Sequence, residues 1–386
     1  MMVLKKYCVL FFLLVLPKEM HAQYDHGSFL SDHFIQEEDH RKLYLSLENQ
    51  NLFWNNEFFN AVAHGYTTFG TLLNTSFRYH ATPDFLIEGG LHMLQFYGEN
   101  GMSRLRPLFR IHYQPIRPLS ILMGTLHGGL HHGFIEPFYQ FERFMTAPPE
   151  TGLQILYQSG HWDSDLYLDW TLYLPPGSTG KNESFTLGWT NEFRLLDPDR
   201  NMNLSVPVQG LMVHVGGPGD SLNQPVESLF NASVGIHSSW KLRGFFQELG
   251  AVAYVAWYRD LSPEKTQAYL RGHAYYPNLY TKGRWFQLVL GYWRGHQFMA
   301  PLGNPIFSSV SNKPGAWTFP ERELLLFKIS FDYPIAKGLN MGIRYENYLD
   351  LRGTVANEKE PENNYSYGVY ITFNRDFLLT EIRKYK

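Results

Sequence analysis

From Leu166 to Leu174 every second residue is large and apolar (Leu166, Leu168, Trp170, Leu172, Leu174), and between them stand Asp165, Tyr167, Asp169, Thr171 and Tyr173. A strand sends successive side chains to opposite faces, so this stretch reads as a β-strand with one oily and one mostly polar face. The two-residue period recurs from about Lys42 to Leu379. Glu88 and His92 fall on the polar side of 85–93, and Arg106, Arg110 and His112 oppose Phe109 and Ile111 in 105–113. Near the end, Leu325, Phe327, Ile329 and Phe331 oppose Lys328, Ser330 and Asp332, while Met341, Ile343 and Tyr345 oppose Arg344 and Glu346. Sixteen such segments begin near residues 42, 66, 85, 104, 119, 151, 164, 184, 203, 228, 246, 268, 285, 321, 339 and 365.

Segment length separates two environments for this pattern. Strands of globular proteins usually run about five or six residues, whereas a tilted strand needs about nine to eleven to cross the hydrocarbon layer of a membrane. The segments here run about ten to thirteen, which favours the membrane. Seven connections are short and rich in turn formers, such as 80–84, 114–118 and 197–201. Between them come eight mostly longer ones, including 129–149, 216–227, 297–319 and 352–364. Alternating short turns and long loops imply an even number of strands, with both chain ends on the side of the short turns.

Composition agrees. The chain has 29 Phe, 25 Tyr and 9 Trp, yet its mean hydropathy is slightly negative, as expected when lipid-facing and inward-facing residues alternate. Many rings sit near strand ends, among them Tyr79, Phe96, Tyr97, Tyr113, Tyr157, Trp189, Trp240, Trp257, Tyr258 and Trp285. Amphipathic rings prefer the membrane interface, so they read as two girdles. A net charge of −3 gives no support for nucleic-acid binding.

The first residues have the layout of a cleaved export signal: Lys5 and Lys6, an apolar run from Tyr7 to Leu16, then Pro17 and a small residue at Ala22. Cys8, the sole cysteine, lies inside it. The expected organisation is a signal at 1–22, a short periplasmic segment at 23–40, a β-barrel at 41–379 and a basic tail at 380–386.

In its alternating strands, loop asymmetry and ring content the chain resembles porin-like outer-membrane barrels of the aromatic-rich kind found in Bacteroidota. The resemblance implies an all-β, transmembrane, antiparallel up-and-down barrel of about sixteen strands in the cell outer membrane. It also implies contact with membrane lipid, lipopolysaccharide and the outer-membrane insertion machinery, passage of a small polar solute, and assembly as a homo-trimer. Such barrels commonly end in an aromatic residue; here Phe373 or Phe377 takes that place, ahead of a charged tail. A loop at 129–149 is implied to fold into the pore, making Glu136, Tyr139, Glu142 and Arg143 the expected constriction. The 297–319 loop, with Trp317 and Phe319, is a rival lid.

The polar faces carry Glu88, Asp165, Asp169, Glu192, Glu248, Asp332 and Glu346 against Arg106, Arg110, Arg194, Arg271, Lys328 and Arg344. Seven acids against six bases argue against a strongly ion-selective channel, and an internally paired, closed barrel with a structural, adhesive or assembly role would look the same. His127, His131 and His132 lie within one Gly-rich stretch and are candidates for metal binding, since neutral imidazole is a common ligand. Gly219-Asp220-Ser221-Leu222 spells the nucleophile block of one lipase family, and His127-Gly128-Gly129-Leu130 echoes an esterase oxyanion loop. No Gly-x-Ser-x-Gly elbow accompanies them. The sequence expectation is therefore passive or facilitated transport, with no cofactor and no catalysis, and a hydrolase built on the His-rich loop as a distant alternative. A membrane barrel should migrate faster on a gel unheated than boiled, and partition with outer membranes; identical mobility in both states would exclude it.

Overall fold

The computed structural model describes residues 26–31, 35, 39–175, 182–197, 200–217, 225–315, 317–354 and 361–382. The export signal expected at 1–22 and the Gly219–Leu222 block lie outside these. The periodic segments form β1 (Lys42–Glu57), β2 (Tyr66–Thr82), β3 (Phe85–Phe96), β4 (Arg104–Ile116), β5 (Leu119–Thr125), β6 (Thr151–Gln158), β7 (Trp162–Leu172) and β8 (Ser184–Arg194). They continue as β9 (Met202–Val215), β10 (Glu227–Lys241), β11 (Phe246–Asp260), β12 (Arg271–Gly283), β13 (Phe286–His296), β14 (Glu321–Ala336), β15 (Leu339–Asp350) and β16 (Glu362–Glu381). Each strand begins within three residues of where the alternation placed it.

Neighbours in sequence pair antiparallel, and β1 pairs β16 from Lys42↔Glu381 to Glu57↔Tyr365, so the sheet closes into a sixteen-stranded barrel. Closure follows from solvent: hydrocarbon offers backbone N–H and C=O groups no partner, so a membrane-spanning sheet cannot leave an edge. The outward residues are apolar and exposed, as at Phe109, Met123, Leu279, Leu290 and Val369.

Inside, the barrel is packed rather than empty. One apolar cluster joins Phe138, Tyr167, Leu211, Tyr254, Tyr276, Trp293, Phe298, Phe307 and Tyr348. A second joins Phe29, Leu52, Trp54, Leu72, Phe141, Met145 and Tyr370. Both draw on wall strands and on chain lying between strands: the stretch near Gly27–Phe29, the β5–β6 loop (126–150) and the β13–β14 loop (297–320). Wall glycines make room for the rings. Gly188, Gly235, Gly250, Gly342 and Gly368 sit directly opposite Tyr167, Tyr254, Tyr280, Tyr370 and Trp54 on neighbouring strands. In each pair the ring lies where a glycine side chain would be. This cross-strand arrangement fills the gap left by glycine and pins the register.

Gly250→Ala would bring a Cβ within 2.2 Å of the Tyr280 ring. That ring cannot yield freely, because its hydroxyl meets His237 Nε2 at 2.7 Å and donates to Glu248 at 2.6 Å. The variant should lose about 1–3 kcal/mol through overpacking, read as a lower urea midpoint of unfolding. Gly89→Ala, with nothing within 4 Å of the added carbon, should leave the midpoint unchanged.

Candidate functional site

One strand breaks the regularity of the wall. The alternation predicts a full-length strand from residue 119, but β5 has only seven residues. Its ladder with β4 begins at Arg110↔Gly124, so Arg104–Leu108 pair with β3 on one edge and have no β5 partner on the other, while the Phe109 N–H donates to Thr125 Oγ1 at 3.1 Å. About five residues at roughly 3.4 Å each leave a break, or notch, in the ladder about 17 Å long in the extracellular half of the wall. Gly124 and Gly152, at φ 101° and 159°, lie where the chain leaves and rejoins the wall. An added Cβ on Gly124 would lie 2.2 Å from Phe109 O, so only glycine lets β5 approach β4 there before turning inward.

The loop that leaves at the notch crosses the lumen. Asn56 of β1 donates to Glu142 Oε1 at 2.8 Å, and Tyr66 OH donates to Glu142 Oε2 at 2.5 Å. On the far wall, Gln209 of β9 receives the Ile135 N–H at 3.0 Å and donates to Gly133 O at 3.0 Å. A short helix, α1 (Arg143–Thr146), follows, and Arg104 returns across the notch to donate to the carbonyls of Met145, Thr146 and Ala147 at 3.3, 2.7 and 2.7 Å. Beneath this strap is a cavity of about 140 Å³. The notch edge supplies Leu108 and Phe109, the wall supplies Glu48, Glu88, His92 and Arg110, and the loop supplies His127, His131, Tyr139, Arg143 and Glu150. The His127 and His131 ring centres are 5.8 Å apart. Arg143 lies over the Tyr139 ring at 5.2 Å, and its buried Nε has no hydrogen-bond partner.

The three clustered histidines divide. His132 is fully buried, with Nδ1 2.7 Å from Asp165 and Nε2 2.6 Å from Glu150, and it stacks on Tyr167 at 3.6 Å. Burial alone would drive the proton off, but the two carboxylates outweigh it and hold the imidazole pKa up at about 10. For Glu150 burial favours the neutral acid, and the neighbouring imidazolium reverses this, leaving its pKa below the usual carboxylate value. His132 is thus a structural cation with both nitrogens engaged. Among the described residues no group of three or more His, Cys, Asp or Glu side chains is gathered in a metal-binding arrangement.

Of the four residues expected at a constriction, Tyr139 and Arg143 line the cavity, while Glu136 and Glu142 are spent on anchoring. Glu136 pairs with Lys328 of β14 and accepts from Tyr348 OH at 2.6 Å; Lys328 also reaches Glu346 at 2.8 Å. Glu88 pairs with Arg110 at 2.8 Å and Arg194 with Asp163. Glu192 accepts from Ser205, Glu248 from Tyr280, and Asp332 from Ser28. Asp169 accepts the Thr151 N–H at 2.8 Å, and Arg106 lies on the inward register of β4 but is exposed. Arg344 packs against Phe29, Phe141 and Tyr370 at 4.7–5.4 Å. Arg271 is a correction: in β12 the buried positions are Gly272, Ala274, Tyr276, Asn278 and Tyr280, so Arg271 faces outward. The alternation was right there and the strand start three residues early. The notch itself had one sequence signal, the Gly-rich exit from β5.

A family model described as Lipid A 3'-O-deacylase-type matches residues 35–382. No curated protein matches the sequence. Among solved structures the barrel is similar to the outer-membrane protein OprD from Pseudomonas aeruginosa (13% identity, covering 92% of this chain and 97% of that one, TM-score 0.51). It is also similar to OpdK from the same organism (10% identity, 88% and 100%, TM-score 0.51) and to a loop L8 deletion mutant of OmpT from Vibrio cholerae (9% identity, 86% and 100%, TM-score 0.51). At these identities the likeness is one of fold, and the chain is an outer-membrane barrel. The family match overturns the expectation of a protein without chemistry, because the matched family is one of enzymes.

Burial pushes the Glu142 carboxyl up to about 7, and hydrogen bonds from Tyr66, Asn56 and Gln140 offset only part of this. A folded-state pKa above the ordinary 4.5 means that loop docking is strongest below pH 4.5 and is lost as the pH rises through 7. Amide exchange at Phe144–Ala147, corrected for intrinsic rate, should report more frequent opening at pH 8 than at pH 5. Glu142→Gln should make opening independent of pH over that window.

Proposed function

Because the chain belongs to the Lipid A 3'-O-deacylase-type family, we propose that it is an outer-membrane hydrolase that removes an ester-linked acyl chain from a lipid A-type glycolipid. The observation that carries this reading onto the structure is the short β5. It ends the β4–β5 ladder beside His127 and His131, so that loop chain rather than paired strand stands between the cavity and the outer leaflet, and a lipid can approach an otherwise packed barrel from that side.

Ester hydrolysis needs a base to take a proton from water and a donor for the negative charge that develops on the carbonyl oxygen. His127 or His131 fits the first role, because both line the cavity, whereas His132 is held between two carboxylates. Arg143 fits the second, with a guanidinium positioned by Tyr139 and a free Nε. Water adds to the ester carbonyl as the base takes its proton, the bond from the acyl carbon to the sugar oxygen breaks, and that oxygen takes the proton back, so that a fatty acid and a sugar hydroxyl result. The proposal keeps residues 1–22 as a cleaved signal, 23–40 as a periplasmic lead, 41–379 as the barrel and 380–386 as its tail.

A second reading, passage of a small polar solute, draws on the barrel architecture shared with OprD and OpdK. It requires the 126–150 and 297–320 loops to move aside, and planar-bilayer conductance is its direct measure.

Purified, folded protein should release a 3'-O-linked acyl chain from lipid A in mixed micelles, detected by mass spectrometry. The double variant His127→Ala/His131→Ala should be slower by about 10²–10⁴-fold while keeping its heat-modifiable mobility. Absence of release by the native protein, or an unchanged rate in the variant, would sink the assignment.

A further inference from the structure

The outward face of the barrel changes character sharply in one sector. On β13 the outward residues run Phe286, Leu288, Leu290 and Tyr292, then turn to Arg294 and His296. On β11 the series is Leu249, Ala251, Ala253, Val255 and Trp257, then Arg259. On β12 it is Leu279, Pro277 and Tyr275, then His273 and Arg271. Cross-strand register sets these charges side by side: Arg259↔Arg271, His273↔His296, and Arg294 beside Tyr275. Eight residues separate Phe286 from Arg294, roughly 27 Å along the strand and about 20 Å along the membrane normal at a tilt near 40°. The charged row therefore begins near the upper edge of an apolar band of about 25 Å, just above the ring belt of Trp257, Tyr275 and Tyr292.

The balance of the patch is positive. Glu321 is taken by His296, and Glu323 accepts from Tyr292 at 2.6 Å and Arg352 at 3.1 Å. No carboxylate is ion-paired to Arg259 or Arg271 among the described residues, Arg294 stands across the ladder from the already engaged Glu323, and all three arginines are exposed. Exposed arginines cost little on a surface in water, but here they stand at the height of lipid headgroups, where a planar guanidinium matches the oxygens of a phosphate. At the same height on β7, β8, β9 and β10 the outward residues are Trp170, Phe185, His214 and Phe230, with no Arg or Lys among them. The cations are gathered on one sector.

We propose that Arg259, Arg271 and Arg294 form a docking patch for the phosphorylated headgroup of an outer-leaflet glycolipid. The aromatic belt beneath contacts the upper acyl chains, and His273 adds a further donor to phosphate or sugar. The patch rests on the barrel's outer face and its depth, so it stands whether or not the cavity beside His131 hydrolyses anything.

The test is binding rather than turnover. Full-length folded protein in neutral detergent is titrated with bis-phosphorylated lipid A and followed by native mass spectrometry. Arg259→Gln/Arg271→Gln/Arg294→Gln should bind at least tenfold more weakly, with its heat-modifiable mobility intact. Chemically dephosphorylated lipid A should bind native and variant protein alike, and millimolar inorganic phosphate should not displace the lipid. Equal binding of lipid A to native protein and variant, or equal affinity of native protein for the phosphorylated and dephosphorylated lipids, would overturn the patch. Displacement by inorganic phosphate would overturn it too, by assigning the site to a free anion.

Discussion

In a hydrocarbon solvent every backbone N–H and C=O must find its partner within the protein, and the rest of this structure depends on how that demand is met. All sixteen seams are antiparallel, several with a bulge or a short gap, and the pairing of β1 with β16 removes the last edge. The β4–β5 seam is cut short, because β5 stops at Thr125 while β4 continues to Arg104. What occupies that region is chain from the β5–β6 loop, strapped by Arg104 to three of its carbonyls. Where the β4 ladder gives out, a packed interior comes within reach of the bilayer.

The interior is held by charges that belong half to the wall and half to the inserted chain. Glu136 comes from the loop and Lys328 and Glu346 from β14 and β15. His132 and Glu150 come from the loop and Asp165 from β7. Arg322 joins Asp350 at 2.5 Å and also donates to Ile306 O of the other inserted loop at 2.9 Å. Such buried pairs add little net stability, but removing one partner costs on the order of 3–5 kcal/mol because the other charge is left without solvent. Their effect is to fix position. The loops are locked to particular strands at particular heights, which sets Tyr139 and Arg143 against the cavity wall.

That division of labour explains which charges stand near the candidate chemistry. Glu88, Arg110 and His132 have their hydrogen-bonding capacity filled by neighbours and act as scaffold. His127 and His131, on the bend beside Gly128 and Gly129, line the cavity instead. On the outer surface Glu321 and Glu323 are occupied by His296, Tyr292 and Arg352, and Arg259, Arg271 and Arg294 remain exposed.

Local sequence determined the strands, because period-two alternation is a property of each segment alone: from Leu166 to Leu174 the lipid-facing set is visible without any partner. It also determined the strand count, the side on which long loops lie, and most inward charges. Arg271 was misplaced because a three-residue error in strand start hides the parity that separates inside from outside. The length of β5 was not legible, since residues 119–125 and the chain after them carry similar hydropathy, and only the pairing with β4 and β6 ends the strand. Nor could composition say which of three adjacent histidines would be a buried cation; that depended on Asp165 and Glu150 arriving from different segments. The filled lumen, the notch and the arginine row arise from residues far apart in the chain, brought together by closure of the sheet, and so only the tertiary structure decided them.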